Sequence, residues 1–197
     1  MQTFSGKLYE AMEWITKFAY LQLLWILGSL AGFVILGIYP ATAAAFSVVR
    51  QWLNGNQSEK LLPLFISYYR QDFVKTNLLG LWVTFLLLLI YLDIFYLQQN
   101  ASLLAIPFFA FMFIISLYLL YVFPVYAHFE YSVAQIIKNS FLLPLVSPAA
   151  TVSQVISTGL LVVIYVFFPA LAVIFGMSLF AFLTTWNARF AFHKLES

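Results

Sequence analysis

Residues 78–97, LLGLWVTFLLLLIYLDIFYL, decide the class of fold, because twenty consecutive residues carry a single ionisable group, Asp93. At about 1.5 Å of rise per residue, a helix of that length is roughly 30 Å long, the thickness of a bilayer's hydrocarbon core. Gln98-Gln99-Asn100 follows, and then a second run of the same kind, LLAIPFFAFMFIISLYLLYV at 103–122, has no charge. Two such runs joined by a polar turn predict a hairpin of transmembrane helices. Inside lipid, only a helix or a closed barrel satisfies every backbone N–H and C=O.

The remaining sequence has the same character. Of 197 residues, 64% are hydrophobic, 20% aromatic and only 8% charged, where a soluble domain carries about a quarter. A surface so poor in charge needs lipid around it. The length suits one bundle, so residues 1–197 read as a single integral membrane domain. Nine Lys and Arg against seven Asp and Glu leave a net charge of +2, without the concentrated basic patch that nucleic acid requires. Cysteine is absent, which removes disulfides, thiolate metal sites and a Cys nucleophile. Pro40-Ala41-Thr42-Ala43 mimics a signal-peptide cleavage site, but the apolar run before it exceeds the roughly 7–15 residues of an h-region. Glu10 and Glu13 also stand where a basic n-region should be.

Working outward gives three further spans, at about 18–38, 150–168 and 170–186, so five in all with 78–97 and 103–122. The last two divide one long apolar stretch at Phe168-Pro169. Pro124 is expected to end the third span. Short amphipathic helices at the membrane surface are expected at 5–17, 41–53, 58–72 and 127–141. In the second of these, Phe46, Val49, Trp52 and Leu53 form the apolar side, while Ser47, Arg50, Gln51 and Asn54 form the polar one. The expected fold class is therefore all-α: a polytopic transmembrane helical bundle with short interfacial helices. Gly28 and Gly32 make a GxxxG pattern, expected to pack within the bundle. The loop after the first span holds Arg50, Lys60, Arg70 and Lys75, Lys138 follows the third, and Arg189 and Lys194 close the chain. With five spans, the excess of positive charge in cytoplasmic loops predicts an outside N-terminus and a cytoplasmic C-terminus in a bacterial cell membrane.

The inventory for catalysis is thin. His128 and His193 have no partners at metal-ligand spacing, and H-E-x-x-H, G-x-S-x-G and phosphate-cradling glycine loops are missing from the sequence. Acid–base and nucleophilic work need paired groups, so no enzyme, no cofactor and no metal is expected. Two intramembrane features stand out. Asp93, about one turn from the end of its span, is expected to reach headgroups or to bond Tyr91 or Tyr96, with an ion or substrate role as the alternative. Ser153, Gln154, Ser157 and Thr158 form a polar strip, expected to bond between helices, with a polar pathway as the alternative.

Two stretches carry a family resemblance. One is Gly37-Ile-Tyr-Pro40-Ala-Thr-Ala-Ala-Ala-Phe46-Ser-Val-Val-Arg50-Gln-Trp52, followed by Tyr69-Arg70-Gln71-Asp72-Phe73 and Asn77-Leu-Leu-Gly80. The other is Phe123-Pro124-Val-Tyr-Ala127-His-Phe129-Glu130 with Ile136-Ile-Lys138-Asn139-Ser-Phe141. The chain resembles the YesL family of small bacterial membrane proteins, which bear a domain of unknown function. Gly37, Pro40, Ala41, Thr42, Arg50, Asn77, Pro124 and Glu130 fit its pattern most closely. Members are often encoded beside binding-protein-dependent ABC importers for oligosaccharides. The resemblance thus implies a role near such a system and no mechanism; the expected reading is an accessory subunit associated with a carbohydrate importer, with the lipid bilayer and permease subunits as partners. No nucleic acid is expected, and homo-oligomerisation stays open. The expected partner contact is Ser47, Arg50, Gln51, Asn54, Arg70, Glu130 and Lys138. The alternatives are a small solute carrier or channel, and a scaffold or regulatory membrane protein unrelated to transport.

Overall fold

The computed structural model describes residues 4–56, 60–99 and 105–196. They form eight helices: α1 (Phe4–Ala31), α2 (Ile38–Leu53), α3 (Leu61–Gln71), α4 (Phe73–Gln99), α5 (Ala105–His128), α6 (Val133–Val146), α7 (Pro148–Phe167) and α8 (Pro169–Glu196). No strand occurs among the described residues. Five helices, α1, α4, α5, α7 and α8, are long and apolar enough to cross a membrane. The all-α, multi-pass bundle expected from the sequence is the one formed.

Several boundaries differ from expectation. The amphipathic segment 5–17 and the first span are one continuous helix that ends at Ala31 rather than Ile38. The cause lies in glycines. Gly37 passes so close to the Ser29 carbonyl, and Gly32 to Gly37, that a Cβ at either would collide with backbone. The chain therefore reverses within residues 32–37, where Phe33 (φ 54°) and Val34 (φ 66°) take left-handed conformations. Pro124 does not end α5, which continues to His128. A proline interrupts one turn of backbone bonding, and packed neighbours let a membrane helix continue past it. α6 consequently starts later than expected, at Val133. Ser132 caps it, its backbone N–H donating to Gln135 Oε1 at 2.9 Å. The division at Phe168-Pro169 occurs where the sequence placed it, with the Phe168 N–H closing on the Ile164 carbonyl.

The main correction concerns α2, expected to lie at the membrane surface with one side in water. It is instead the buried centre of one half of the bundle, with Ala41, Ala44, Ala45 and Val48 at 0% exposure. Its run of small residues, Ala41-Thr42-Ala43-Ala44-Ala45, lets neighbouring helices approach closely. The hydroxyls it buries are satisfied within its own turn, Thr42 donating to Ile38 O at 2.7 Å and Ser47 to Ala43 O at 2.9 Å.

The direction of α2 sets the layout of the ends. It runs antiparallel to α1: Trp25 Nε1 donates to Thr42 Oγ1 at 3.0 Å, and Trp14 meets Trp52 edge-on at 5.8 Å. It runs parallel to α8, where Phe46 meets Phe180 and Arg189 Nη1 donates to Leu53 O at 2.7 Å. α5 also runs with it, through the Phe46–Phe123 stack and the Arg50 bond to His128 O. The start of α1 and the end of α8 therefore lie at the same end of the bundle. That arrangement departs from the expected placement of the termini at opposite ends. All nine Lys and Arg fall on segments belonging to this end, while 32–37 and Phe168 at the other end contain none.

Candidate binding cavity

The end of α2, the α3–α4 junction and the end of α5 enclose a cavity of about 290 Å³, lined by Ser47, Arg50, Tyr68, Gln71, Asp72, Lys75, Tyr126, Ala127, Phe129 and Glu130. Each side chain arrives there for a local reason. Arg50 belongs to the last turn of α2, where a cation suits the helix dipole. Asp72 sits between α3 and α4 at φ −122°, ψ 32°, outside helical geometry, so that α4 sets off in a new direction. Its carbonyl accepts the Thr76 N–H at 2.8 Å and so starts α4.

Inside the cavity the charges are unevenly satisfied. Asp72 Oδ2 accepts the Tyr126 hydroxyl at 3.1 Å and pairs with Lys75 Nζ at 3.7 Å. Lys75 Nζ also lies 5.5 Å from the centre of the Tyr126 ring, within cation–π range. Arg50 makes one recorded bond, from Nη1 to His128 O at 3.2 Å, and its Nε is buried without a hydrogen-bond partner. Gln51 Nε2 donates to Tyr68 OH at 2.8 Å and fixes that phenol at the rim. Behind it, Tyr69 OH donates to Gly28 O at 3.0 Å, and burial raises its pKa above the ordinary phenol value.

Of the residues expected to contact a partner, the cavity gathers Ser47, Arg50 and Glu130, and Gln51 supports it through Tyr68. Ser47 is buried, not presented on a surface. Asn54 and Arg70 are exposed but do not line the cavity. Lys138 borders a different hollow of about 410 Å³ between α4, α5 and α6, lined otherwise by apolar and aromatic side chains. The sequence reading missed Tyr68, Gln71, Asp72, Lys75, Tyr126 and Phe129. Asp72 and Lys75, an i,i+3 charge pair at the mouth of an apolar run, were the available signal.

The family-pattern residues mostly build the frame. Ala41 packs on Gly28, Thr42 holds Trp25, Asn77 Nδ2 donates to Phe73 O at 2.9 Å, and Pro124 is buried in α5. Gly28 meets the Phe65 ring as well, so the GxxxG pattern serves this bundle. In the polar strip of α7, Ser153 donates to Asn187 Oδ1 at 2.8 Å and Asn187 Nδ2 donates to Ser157 Oγ at 2.7 Å, a clasp between α7 and α8. Gln154 is 0% exposed, and neither its polar atoms nor Thr158 Oγ1 finds a partner among the described residues. Asp93 borders an open hollow with Pro107, Phe108 and Phe111, and its Oδ2 is buried without a partner. His128 stacks on Phe192 at 4.4 Å. The His193 side chain lies outside the described residues. Among the described residues no three His, Cys, Asp or Glu side chains gather as a metal site would require.

The model of a family described as "Protein of unknown function, DUF624" matches residues 18–94. That segment contains α2, α3 and most of α4, hence the cavity's Arg50, Asp72 and Lys75. Three Bacillus subtilis (strain 168) proteins align along nearly the whole chain. Uncharacterized protein YteU is 33% identical, covering 90% of this chain and 81% of its own length. Uncharacterized protein YesL is 30% identical, covering 93% and 88%, and uncharacterized protein YesV is 30% identical, covering 99% and 96%. The chain belongs to this YesL-type family. No solved structure matches it. The resemblance read from the Gly37–Trp52 stretch is thereby confirmed, and that stretch is the buried centre of the fold.

Proposed function

We propose that this YesL-type chain is an accessory membrane subunit associated with a binding-protein-dependent carbohydrate ABC importer, acting without catalysis of its own. One observation supports the reading most: the cavity rich in polar side chains lies at the cation-bearing end, whereas the hollows along the spans are walled mainly by apolar side chains, with Asp93, Lys138, Asn77 and Thr84 as the polar exceptions. A carrier binds solute near mid-membrane, between helices that supply polar groups there. An accessory subunit needs its polar surface at one end, where a neighbour's loops lie. The cation-bearing end faces the cytoplasm in this reading, with both termini on that side. Exposed Asn54, Arg70, Glu130 and Lys138 remain available for permease contact.

The test is affinity purification in a gentle detergent with mass spectrometry. The wild type is expected to bring down the importer's permease subunits, and Arg70→Glu with Lys138→Glu to lose them while still inserting. Recovery of permeases no better than with an unrelated membrane protein of similar abundance sinks the proposal. A second reading, a small solute carrier, is favoured by Gln154, whose buried amide lacks partners. Gln154→Leu abolishing uptake at normal protein level, with the permeases still bound, would move the assignment to that reading.

A further inference from the structure

We infer that the cavity at the cation-bearing end binds the headgroup of an aminophospholipid, its phosphate on Arg50 and its ammonium on Glu130. This does not depend on the importer association. The argument starts from the charges left over. Asp72 and Lys75 satisfy each other, with Tyr126 bonded to the same carboxylate. Among the described residues, Arg50 and Glu130 make no ion pair within 4.0 Å, with each other or elsewhere. Both line the same cavity. A guanidinium is charged at every working pH and offers five donors. Arg50 spends one on the His128 carbonyl and holds Nε buried and unused. An N–H donor buried without an acceptor is costly, and an anion seated in the cavity would supply one. The leftover pair therefore complements a ligand that carries one anion and one cation.

Size and surroundings narrow the class. About 290 Å³ holds a small headgroup and not a folded peptide. Phe129 borders it beside Glu130, an aromatic neighbour suited to an ammonium. A separate groove of about 430 Å³ begins on the same helix. Phe73, Val74, Asn77, Leu78 and Leu81 of α4 line it with Ile35, Leu36 and Tyr39. The groove starts at Phe73 and Val74, in the first turn of α4 beside Asp72 and Lys75 of the cavity, so polar and apolar hollows adjoin one helix start, as a headgroup and its acyl chain require. A soluble phosphate ester would use the cavity alone. A lipid uses both.

Native mass spectrometry of the full chain in mild detergent tests this with three lipids of matched chains: phosphatidylethanolamine, phosphatidylglycerol and phosphatidylcholine. One phosphatidylethanolamine is expected to stay bound per chain. Phosphatidylglycerol, lacking the ammonium, and phosphatidylcholine, unable to donate to Glu130, should be retained roughly tenfold less, the scale of one charge-assisted hydrogen bond. Glu130→Gln should remove that preference, Arg50→Gln should weaken retention of all three lipids because each carries the phosphate, and Lys138→Gln should change neither. Equal retention of the three lipids by the wild type, a preference surviving in Glu130→Gln, or undiminished retention in a folded Arg50→Gln overturns the inference. Glycerophosphoethanolamine displacing the lipid at equal concentration would show a soluble ester to be the ligand and overturn the lipid assignment. Should Arg50→Gln fail to fold, the exposed Glu130→Gln decides the outcome.

Discussion

Tyr39 lays its ring against Gly80 so closely that any Cβ there would enter the ring, and its hydroxyl bonds Thr84 one turn further along α4. This pair fastens the start of α2 to α4. Gly80→Val is expected to lower stability by about 1–3 kcal/mol, the usual cost of overpacking. Tyr39→Ala combined with Gly80→Val should recover part of it, because the ring is the obstacle. Thermal unfolding in detergent measures both, and equal destabilisation in the presence and absence of the ring would show that Gly80 is needed for another reason. The sequence offered both residues inside its family-like stretches, yet nothing local pairs them. A glycine contact between residues 41 positions apart has no period to read. The same limit hid Asn187, whose amide clasps Ser153 and Ser157, although the strip it serves was visible.

At the level of helices, periodicity served well where burial followed it and failed where it did not. The long apolar runs are legible because lipid tolerates no alternative to a hydrogen-bonded helix. α2 was misread because Ser47, Arg50, Gln51 and Asn54 recur at helical spacing, and polar side chains at that spacing suggest water. In the structure three of them turn inward, Ser47 bonding within its own turn, Arg50 reaching the α5 carboxyl end through Nη1 alone and Gln51 donating to Tyr68, while Asn54 stays exposed. The alanine run was the better signal. Ala44 separates the two readings, since it stands three residues before Ser47 on the supposed water face and is 0% exposed. Ala44→Glu should abolish the monodisperse folded species in gel filtration, because an unpaired buried carboxylate has no compensation. Asn54→Glu, at the exposed cap of the same helix, should leave the elution profile unchanged. Normal folding of Ala44→Glu would return α2 to the membrane surface.

For the whole molecule, α2 decides which side each terminus occupies. Five long apolar helices alone imply an odd number of crossings and opposite termini. α2 is about 24 Å long at helical rise, short for a lipid-facing span, but it needs no lipid-facing length because α1, α3, α4, α5 and α8 surround it. Running antiparallel to α1, it makes the count of traverses even. The sequence's charges agree with the even count: Lys7 and Lys17, which an outside N-terminus would strand, join the other seven cations at one end. Lys and Arg are usually retained in cytoplasmic loops, so that end is expected inside. Single cysteines in this cysteine-free chain test it directly. Gln98→Cys should react with an impermeant maleimide on intact cells, and Gly6→Cys and Asn54→Cys only after lysis, all three positions being exposed. Labelling of Gly6→Cys on intact cells, with Asn54→Cys protected, would place the N-terminus outside and remove α2 from the membrane.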